Sequence, residues 1–250
     1  MIHTVAITFN KKRIQNDTIS HTQINGGMFS VDGVLTEAYD FLPNYSSLNS
    51  VLFESSVILT SWKHKEQLFN ADFCGFIHDD IEPTEYFSDA VDIIENGPKV
   101  NASYGITTPA GIDVGCVDFT DDDYFKSDND PWRSMSFDFE NNIWDLIKRY
   151  DADSYRIATK NIPMIYGHQF ICTNDVFDKV CSDLNDVLGR ITLSEVGLWI
   201  PHIFERILAI KLYKYGTDNF KLLNMYSHNL SSGKGGNKLY GVKEYKFISC

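Results

Sequence analysis

The stretch Asn49–Pro83, NSVLFESSVILTSWKHKEQLFNADFCGFIHDDIEP, decides how the rest of the chain is read. Val51, Leu52, Ser55, Ile58, Leu59 and Trp62 recur at helical spacing. That spacing predicts a helix from Ser50 to roughly Lys65, with Ser46 or Ser47 as its N-cap. After a short connection, Phe73–Ile77 reads as a buried strand that stops on His78-Asp79-Asp80. A strand ending in this way delivers three polar side chains to one spot, as metal and nucleotide sites of α/β proteins require. Glu54 lies on the helix, where a lone glutamate is ordinarily solvated.

Upstream, HTVAITFN is a strand that ends on Thr8-Phe9-Asn10 and runs into Lys11, Lys12 and Arg13. Ligands of open α/β sheets sit at the carboxyl ends of strands, so this end is a default nucleotide site. Neither G-x-G-x-x-G nor G-x-x-x-x-G-K-[ST] occurs in the chain, which excludes the ordinary dinucleotide and P-loop readings. Residues 16–47 are polar and carry Gly26, Gly27 and Gly33, predicting hairpin or loop structure with one or two short strands.

Downstream, Thr84–Asn96 reads as a helix stopped by Gly97 and Pro98. GITTPAGIDVGCVDF is strand-like and leads into Asp121-Asp122-Asp123, the rival of Asp79-Asp80 for any cation. Asn141–Tyr150 and Asn174–Leu188 are helical, and IPMIYGHQFICT is a strand broken at Gly167-His168-Gln169, a bend able to turn polar side chains into a cleft. GLWIPHIFERILAIKLYKYG is the strongest helical signal, and within it His202 and Glu205 are three apart and share a face. The end, YSHNLSSGKGGNKLYGVKEYKFISC, is small-residue and basic, a segment suited to order over a ligand or to remain a mobile tail.

Composition bounds these readings. The 250 residues are 43% hydrophobic and 14% aromatic, enough to bury one sizeable α/β core. No run of about 18 apolar residues exists and the N-terminus is not signal-like, so a soluble cytoplasmic protein is expected, in a host cytoplasm if phage-encoded. The five cysteines never show C-x-x-C spacing and mostly sit in apolar runs, as reduced core thiols do. The net charge of -12 is uneven: residues 79–130 hold fourteen Asp/Glu against two Lys/Arg, and residues 203–250 hold three against eight. One region suits a cation and the other suits phosphates, although both charge runs also suit plain solvated faces.

VAITFNKKR resembles the opening strand of nucleotide-sugar glycosyltransferases of the GT-A fold, in which such an end holds the nucleobase. The order SLNSVLFESSVILTSWKH, ADFCGFIHDD, NIPMIYGHQFICTNDVF, WIPHIFERILAIKL is similar to short capsular-polysaccharide glycosyltransferase domains. That resemblance spans most of residues 1–214 and marks Asn49, Glu54, Trp62, Gly75, His78 and Glu205-Arg206. One departure is plain: those domains continue from His into Tyr-Arg-Arg, whereas His78-Asp79-Asp80 is closer to the Asp-x-Asp of metal-dependent relatives. HNLSSGKGG resembles the His and Gly-x-x-Lys ending of some of these, and so singles out His228 and Lys234. The compact chain, rich in Asn, Ile, Lys, Phe and Tyr, also resembles proteins of T-even-like phages, which add glucose or arabinose to hydroxymethylcytosine in DNA.

The resemblance implies a single α/β GT-A-like domain over residues 1–226, with a mixed, mostly parallel sheet flanked by helices and a basic segment 227–250 closing over the donor. It implies a metal-dependent enzyme that moves a sugar from a nucleotide-sugar donor, a UDP-sugar, to a hydroxyl. Asp80 and His228 would hold Mn²⁺ or Mg²⁺, and Thr8, Phe9, Asn10, Arg13, Asn49, Glu54, His78, Asp79 and Lys234 would meet the donor. His168 and Gln169 would face the acceptor. Glu205, with His202, would deprotonate the acceptor hydroxyl in an inverting reaction, and in a retaining one would only orient the donor. The acceptor would be a saccharide or hydroxymethylated DNA lying on the basic C-terminal region. For Glu205 the bland alternative is an ion pair that holds its helix, and for His228 it is an idle surface residue. Two other functions fit the acids: a non-enzymatic binding or inhibitor protein that mimics nucleic acid, and a nuclease using Asp80 with Asp122.

Overall fold

The computed structural model describes residues 1–8, 19–26, 33–78, 81–106, 116–117, 137–158, 162–163, 165, 168–192, 196 and 199–228. Within Asn49–Pro83 the expected single helix is three pieces: α2 (Asn49–Leu52), α3 (Glu54–Lys63) and α4 (Lys65–Leu68). Phe53 separates the first two with φ 47° and ψ −126°, a conformation costly for a bulky residue. It is held there by hydrogen bonds from Phe53 N to Asn49 O (2.9 Å) and from Ser56 N to Phe53 O (3.1 Å). Neither Ser46 nor Ser47 caps a helix. Ser46–Leu48 is a 3₁₀ turn whose Ser46 amide donates to Asn44 Oδ1 (3.1 Å). The strand β4 (Phe73–His78) follows, one residue longer than expected, and β5 (Ile81–Pro83) comes after it.

A seven-stranded sheet forms the centre, in the order β3-β2-β1-β4-β9-β6-β10. Its other members are β1 (Ile2–Thr8), β2 (Ser20–Asn25), β3 (Leu35–Thr36), β6 (Ser103–Ile106), β9 (Phe170–Thr173) and β10 (Phe220–Leu223). Only β9 runs antiparallel to its neighbours, so the sheet is mixed and mostly parallel. Residues 16–47, expected as hairpin or loop structure with one or two short strands, hold two short strands, and these form no hairpin: β2 pairs in parallel with β1, and β3 in parallel with β2. Two short pairs stand apart, β7 (Cys116–Val117) with β8 (Ile162–Pro163) and β5 with β11 (Tyr226–His228).

Register fixes which ends meet. Ile7 lies opposite His78 and Thr8 opposite Asn25, so β1, β2 and β4 end level. Because β9 is antiparallel, its first residue, Phe170, lies opposite Phe76, and the turn before it arrives at the same edge.

The sheet is buried on both faces. Val5, Ile7, Cys74, Phe76, Phe170 and Cys172 face one core, shared with α3, α6 (Phe137–Tyr150), α8 (Asn174–Arg190) and α9 (Ile200–Gly216). Ala6, Phe73, Ile77, Tyr104 and Ile171 face the other, with α5 (Phe87–Glu95), Met225 and Tyr226. Gly75 permits the close approach of β4 and β9, since a Cβ there would come within 2.3 Å of Phe170 O. Cys74, Cys172 and Cys181 are free and buried, the reduced core thiols the sequence predicts. Among the described residues no helix is long and apolar enough to cross a membrane.

Candidate functional site

The carboxyl edge of β1 and β4 gathers residues from four separate stretches of sequence. His168, in the turn before β9, is buried and adopts the left-handed backbone region with φ 58°. Its Nε2 shares a 2.9 Å hydrogen bond with Ser55 Oγ in the first turn of α3. Burial lowers the His168 pKa to about 4. The Glu54 carboxylate opposes that shift in part, and His78 and His202 add to it. Glu54, His78 and His202 therefore lie within electrostatic reach of one uncharged imidazole.

The strand pleat explains His78: it lies two residues after Phe76 and four after Cys74, on the same face of β4, which looks toward α3, α8 and α9. His202, in the first turn of α9, is half-buried, and its pKa is lowered by burial and then by the neighbouring Arg206. Among the described residues no three His, Cys, Asp or Glu side chains converge to hold a metal ion.

Of the residues expected to hold a cation, His228 ends β11, and Asp80 directly precedes β5 in the sequence. In β5–β11 the backbone of His228 lies opposite Ile81, the residue that directly follows Asp80. Asp79 and Asp80 lie outside the described residues, as do Phe9, Asn10, Arg13, Asp121-Asp123, Lys234 and the segment 229–250; of His228 the backbone alone is described. Thr8 is buried at the end of β1, and its carbonyl accepts Gly26 N at 3.1 Å.

No protein-family model and no curated protein sequence matches the chain. Its backbone is similar to that of a solved apo structure of WbbM, a bifunctional glycosyltransferase, with a TM-score of 0.56 at 15% identity. The chain shares the fold of part of that protein. The similarity covers 91% of this chain and 45% of the WbbM chain, so the chain spans less than half the length of that protein.

Within this fold, residues marked by the resemblance divide by what they touch. Asn49 Nδ2 donates to Ser56 Oγ at 2.8 Å, beside the fully buried Glu37. The Glu37 carboxylate accepts from Thr60 Oγ1 (2.6 Å) and Ser56 Oγ (2.9 Å), and burial outweighs these bonds to raise its pKa. This network ties α1 (Glu37–Asp40) to α2 and α3. Trp62 Nε1 donates to Asp178 Oδ1 (3.0 Å) and so joins α3 to α8. Glu205 Oε2 lies 3.9 Å from Nη1 of the buried Arg206, the ion pair offered as its alternative role, and Arg206 Nη1 also donates to His202 O at 3.1 Å.

Gln169 is buried, and its carbonyl accepts Ile106 N at 3.0 Å. Sequence reasoning takes Ser55 only as a member of the helical period and does not single out Ser56 or Glu37. The only signal for them is a pair of serines on the buried face of α3 and a glutamate followed by an apolar pair of positions, which is weak. A cavity of about 360 Å³ lies elsewhere, lined by Asp151, Asp153, Asp183, Arg190, Lys211 and Lys214 among others. Lys211 is about 13 Å along α9 from His202. Lys211 and Lys214 are paired with the carboxylates of that cavity, which marks it as a packing seam in the fold.

Proposed function

We propose that the chain transfers a sugar from a nucleotide-sugar donor, a UDP-sugar, to a hydroxyl acceptor at the carboxyl edge of β1 and β4. The observation that carries this reading is the convergence there of Glu54, His78, His168 and His202 in a fold shared with part of a glycosyltransferase. Thr8 at the end of β1 and the Phe9, Asn10 and Arg13 that follow would receive the nucleotide, and Lys234 the diphosphate.

Asp80, assisted by Asp79 or Glu82 and completed by His228, would hold Mn²⁺ or Mg²⁺. A carboxylate and imidazole set suits either ion, and the β5–β11 register, which sets the His228 backbone beside Ile81, supports the grouping. When bound, such a cation neutralises the charge that develops on the diphosphate leaving group. The chain's own groups do the rest. The acceptor hydroxyl loses its proton to Glu205 or to His202, whose lowered pKa leaves it unprotonated and able to accept at neutral pH. His168, uncharged as well, hydrogen-bonds Ser55 and so orients the first turn of α3 that carries Glu54.

A saccharide is the acceptor that the charges favour over hydroxymethylated DNA. Of the eight Lys and Arg in residues 203–250, Arg206 and Lys211 are buried and Lys214 is paired with Asp153, leaving fewer for a phosphate backbone. The test incubates the protein with a panel of nucleotide sugars, Mn²⁺ or Mg²⁺, and saccharide or hydroxymethylated DNA acceptors, reading nucleotide release and product mass. The expected result is metal-dependent turnover of a UDP-sugar, lost in Asp80→Ala and reduced by about 10²–10⁴-fold in Glu205→Gln. No turnover with any donor, together with an unaffected partner interaction in Asp80→Ala, would favour the non-enzymatic binding protein instead.

A further inference from the structure

Backbone strain gathers at this same edge. Among the described residues other than glycine, those with a positive φ are Phe53 (47°), Asn101 (51°) and His168 (58°). Asparagine tolerates that region and histidine visits it, but for a bulky phenylalanine it is an outlier. Phe53 and His168 stand on either side of one hydrogen bond, that between Ser55 Oγ and His168 Nε2, with Phe53 two residues before Ser55. Backbone of this kind persists only where the surroundings hold it, and it clusters at ligand sites.

Core packing does not account for Phe53. Its φ of 47° and ψ of −126° match the first central position of a type II′ turn, which glycine dominates. Leu52, just before it, is the residue that enters the core, whereas Phe53 is 48% exposed and belongs neither to the two buried clusters nor to the side chains packed against them. A glycine at this position would be unstrained and would leave that core intact. The chain instead holds a half-exposed aromatic ring on the turn that also carries Glu54, whose carboxylate acts on His168, and Ser55, which bonds it.

Resting on the glycosyl-transfer reading, we propose that Phe53 stacks against a sugar ring of the acceptor saccharide at the rim of this edge. One face of a hexose ring is made of C–H groups and is apolar, so an aromatic face covers it, while the hydroxyls around the ring need polar partners. Phe53 supplies the aromatic face, and the partly exposed Glu54 that follows it can accept from a hydroxyl. The acceptor is assigned because Ser55 ties this turn to the β9 end of the edge, whereas the nucleotide is assigned to the end of β1, with β4 between them. A nucleobase also stacks on an aromatic ring, and the two KM values tell it from a saccharide.

The test compares the wild type with Phe53→Gly, Phe53→Ala and Phe53→Tyr, with methyl hexosides and short oligosaccharides as acceptors. Acceptor KM and donor KM are measured separately, each with the other substrate saturating, alongside Tm. The expected result is an acceptor KM raised about tenfold in Phe53→Gly and Phe53→Ala and within about threefold of the wild type in Phe53→Tyr, with donor KM within about twofold throughout. Tm is expected to be higher in Phe53→Gly than in Phe53→Ala, because both lack the ring and glycine alone adopts this backbone without strain. An acceptor KM raised in only one of these two would overturn the proposal, since the backbone and not the ring would be responsible. A rise in donor KM alone would overturn it in favour of a nucleobase, and a fall in Tm with both KM values unchanged would show that the ring is structural. Should Phe53→Gly fail to fold, Phe53→Ala against Phe53→Tyr decides. A wild type that turns over no nucleotide sugar overturns the transfer reading itself, and one that modifies hydroxymethylated DNA and no saccharide overturns the saccharide as occupant. An active wild type with unaffected variants overturns the role of Phe53 only.

Discussion

His168 carries the largest electrostatic consequence of any single residue at the site. Its ring binds a proton near pH 4 in the folded chain and near its ordinary 6.5 when unfolded. Between those values the unfolded chain holds a proton that the folded chain lacks, so stability is intact above about pH 6.5 and falls as the pH drops toward 4. The full loss from this group is about 3 kcal/mol, with no further contribution from it below pH 4. Asparagine tolerates the left-handed backbone that His168 adopts, so His168→Asn is the informative variant. Its unfolding free energy, measured by denaturant titration at several pH values, should be flatter between pH 6.5 and 4 by about that amount. A slope equal to the wild type would contradict the assigned environment. At this scale the sequence is legible where a polar residue interrupts a strong pattern, as His78 does at a strand end and His168 does at a bend. Ser55 was legible only as a member of the helical period and Glu37 not at all, because their importance comes from burial, which a single polar letter does not report.

Among the elements, α9 is held by a buried cation. Lys211 lies 2.9 Å from Asp183, 3.2 Å from Asp151 and 3.3 Å from Asp153, joining α9 to α8 and to α7 (Ala152–Ala158). Burial works to lower the Lys211 pKa, but the Asp183 hydrogen bond and the Asp151 and Asp183 carboxylates outweigh it, so the amine stays charged. Asp151 is itself buried and also accepts Ser154 N (3.2 Å) and Ser154 Oγ (2.6 Å) at the start of α7. Removing the amine leaves that carboxylate buried without its counter-charge. Lys211→Met should therefore cost about 3–5 kcal/mol by chemical denaturation, and adding Asp151→Asn should restore part of it. A loss below about 1 kcal/mol would show that the pair is solvated after all.

The helices themselves were readable from period. The expected helices at Thr84–Asn96, Asn141–Tyr150 and Asn174–Leu188 are present with shifted ends, at Phe87–Glu95, Phe137–Tyr150 and Asn174–Arg190. The breaks at Phe53 and His64 were not readable, because apolar residues keep their spacing across both while the backbone conformation does not. Phe53 is 48% exposed and strained, and no propensity rule places a phenylalanine there.

For the whole molecule, the strands β1 and β4 were legible as apolar runs ending on polar residues, and that is enough to predict an α/β sheet with a ligand edge. Strand order was not. β9 enters between β4 and β6 from far along the chain, setting Cys172 opposite both Cys74 and Ser103, and no local pattern reports a partner at that separation. The parallel placement of β2 and β3 was hidden for the same reason, since short polar strands in a glycine-containing stretch suit a hairpin equally well. What the fold adds to the sequence is therefore convergence: Glu54, His78 and His202, each weak when taken alone, all act on His168 at one edge.

The central claim is that this edge binds a nucleotide diphosphate through a cation held beside β5. Isothermal titration of UDP into the protein with Mn²⁺ tests it most directly, repeated with EDTA and with Asp80→Ala. The account predicts saturable binding that weakens by about tenfold or more in both controls, a loss of at least about 1.4 kcal/mol. Equal binding in all three, or no binding in any, would contradict it.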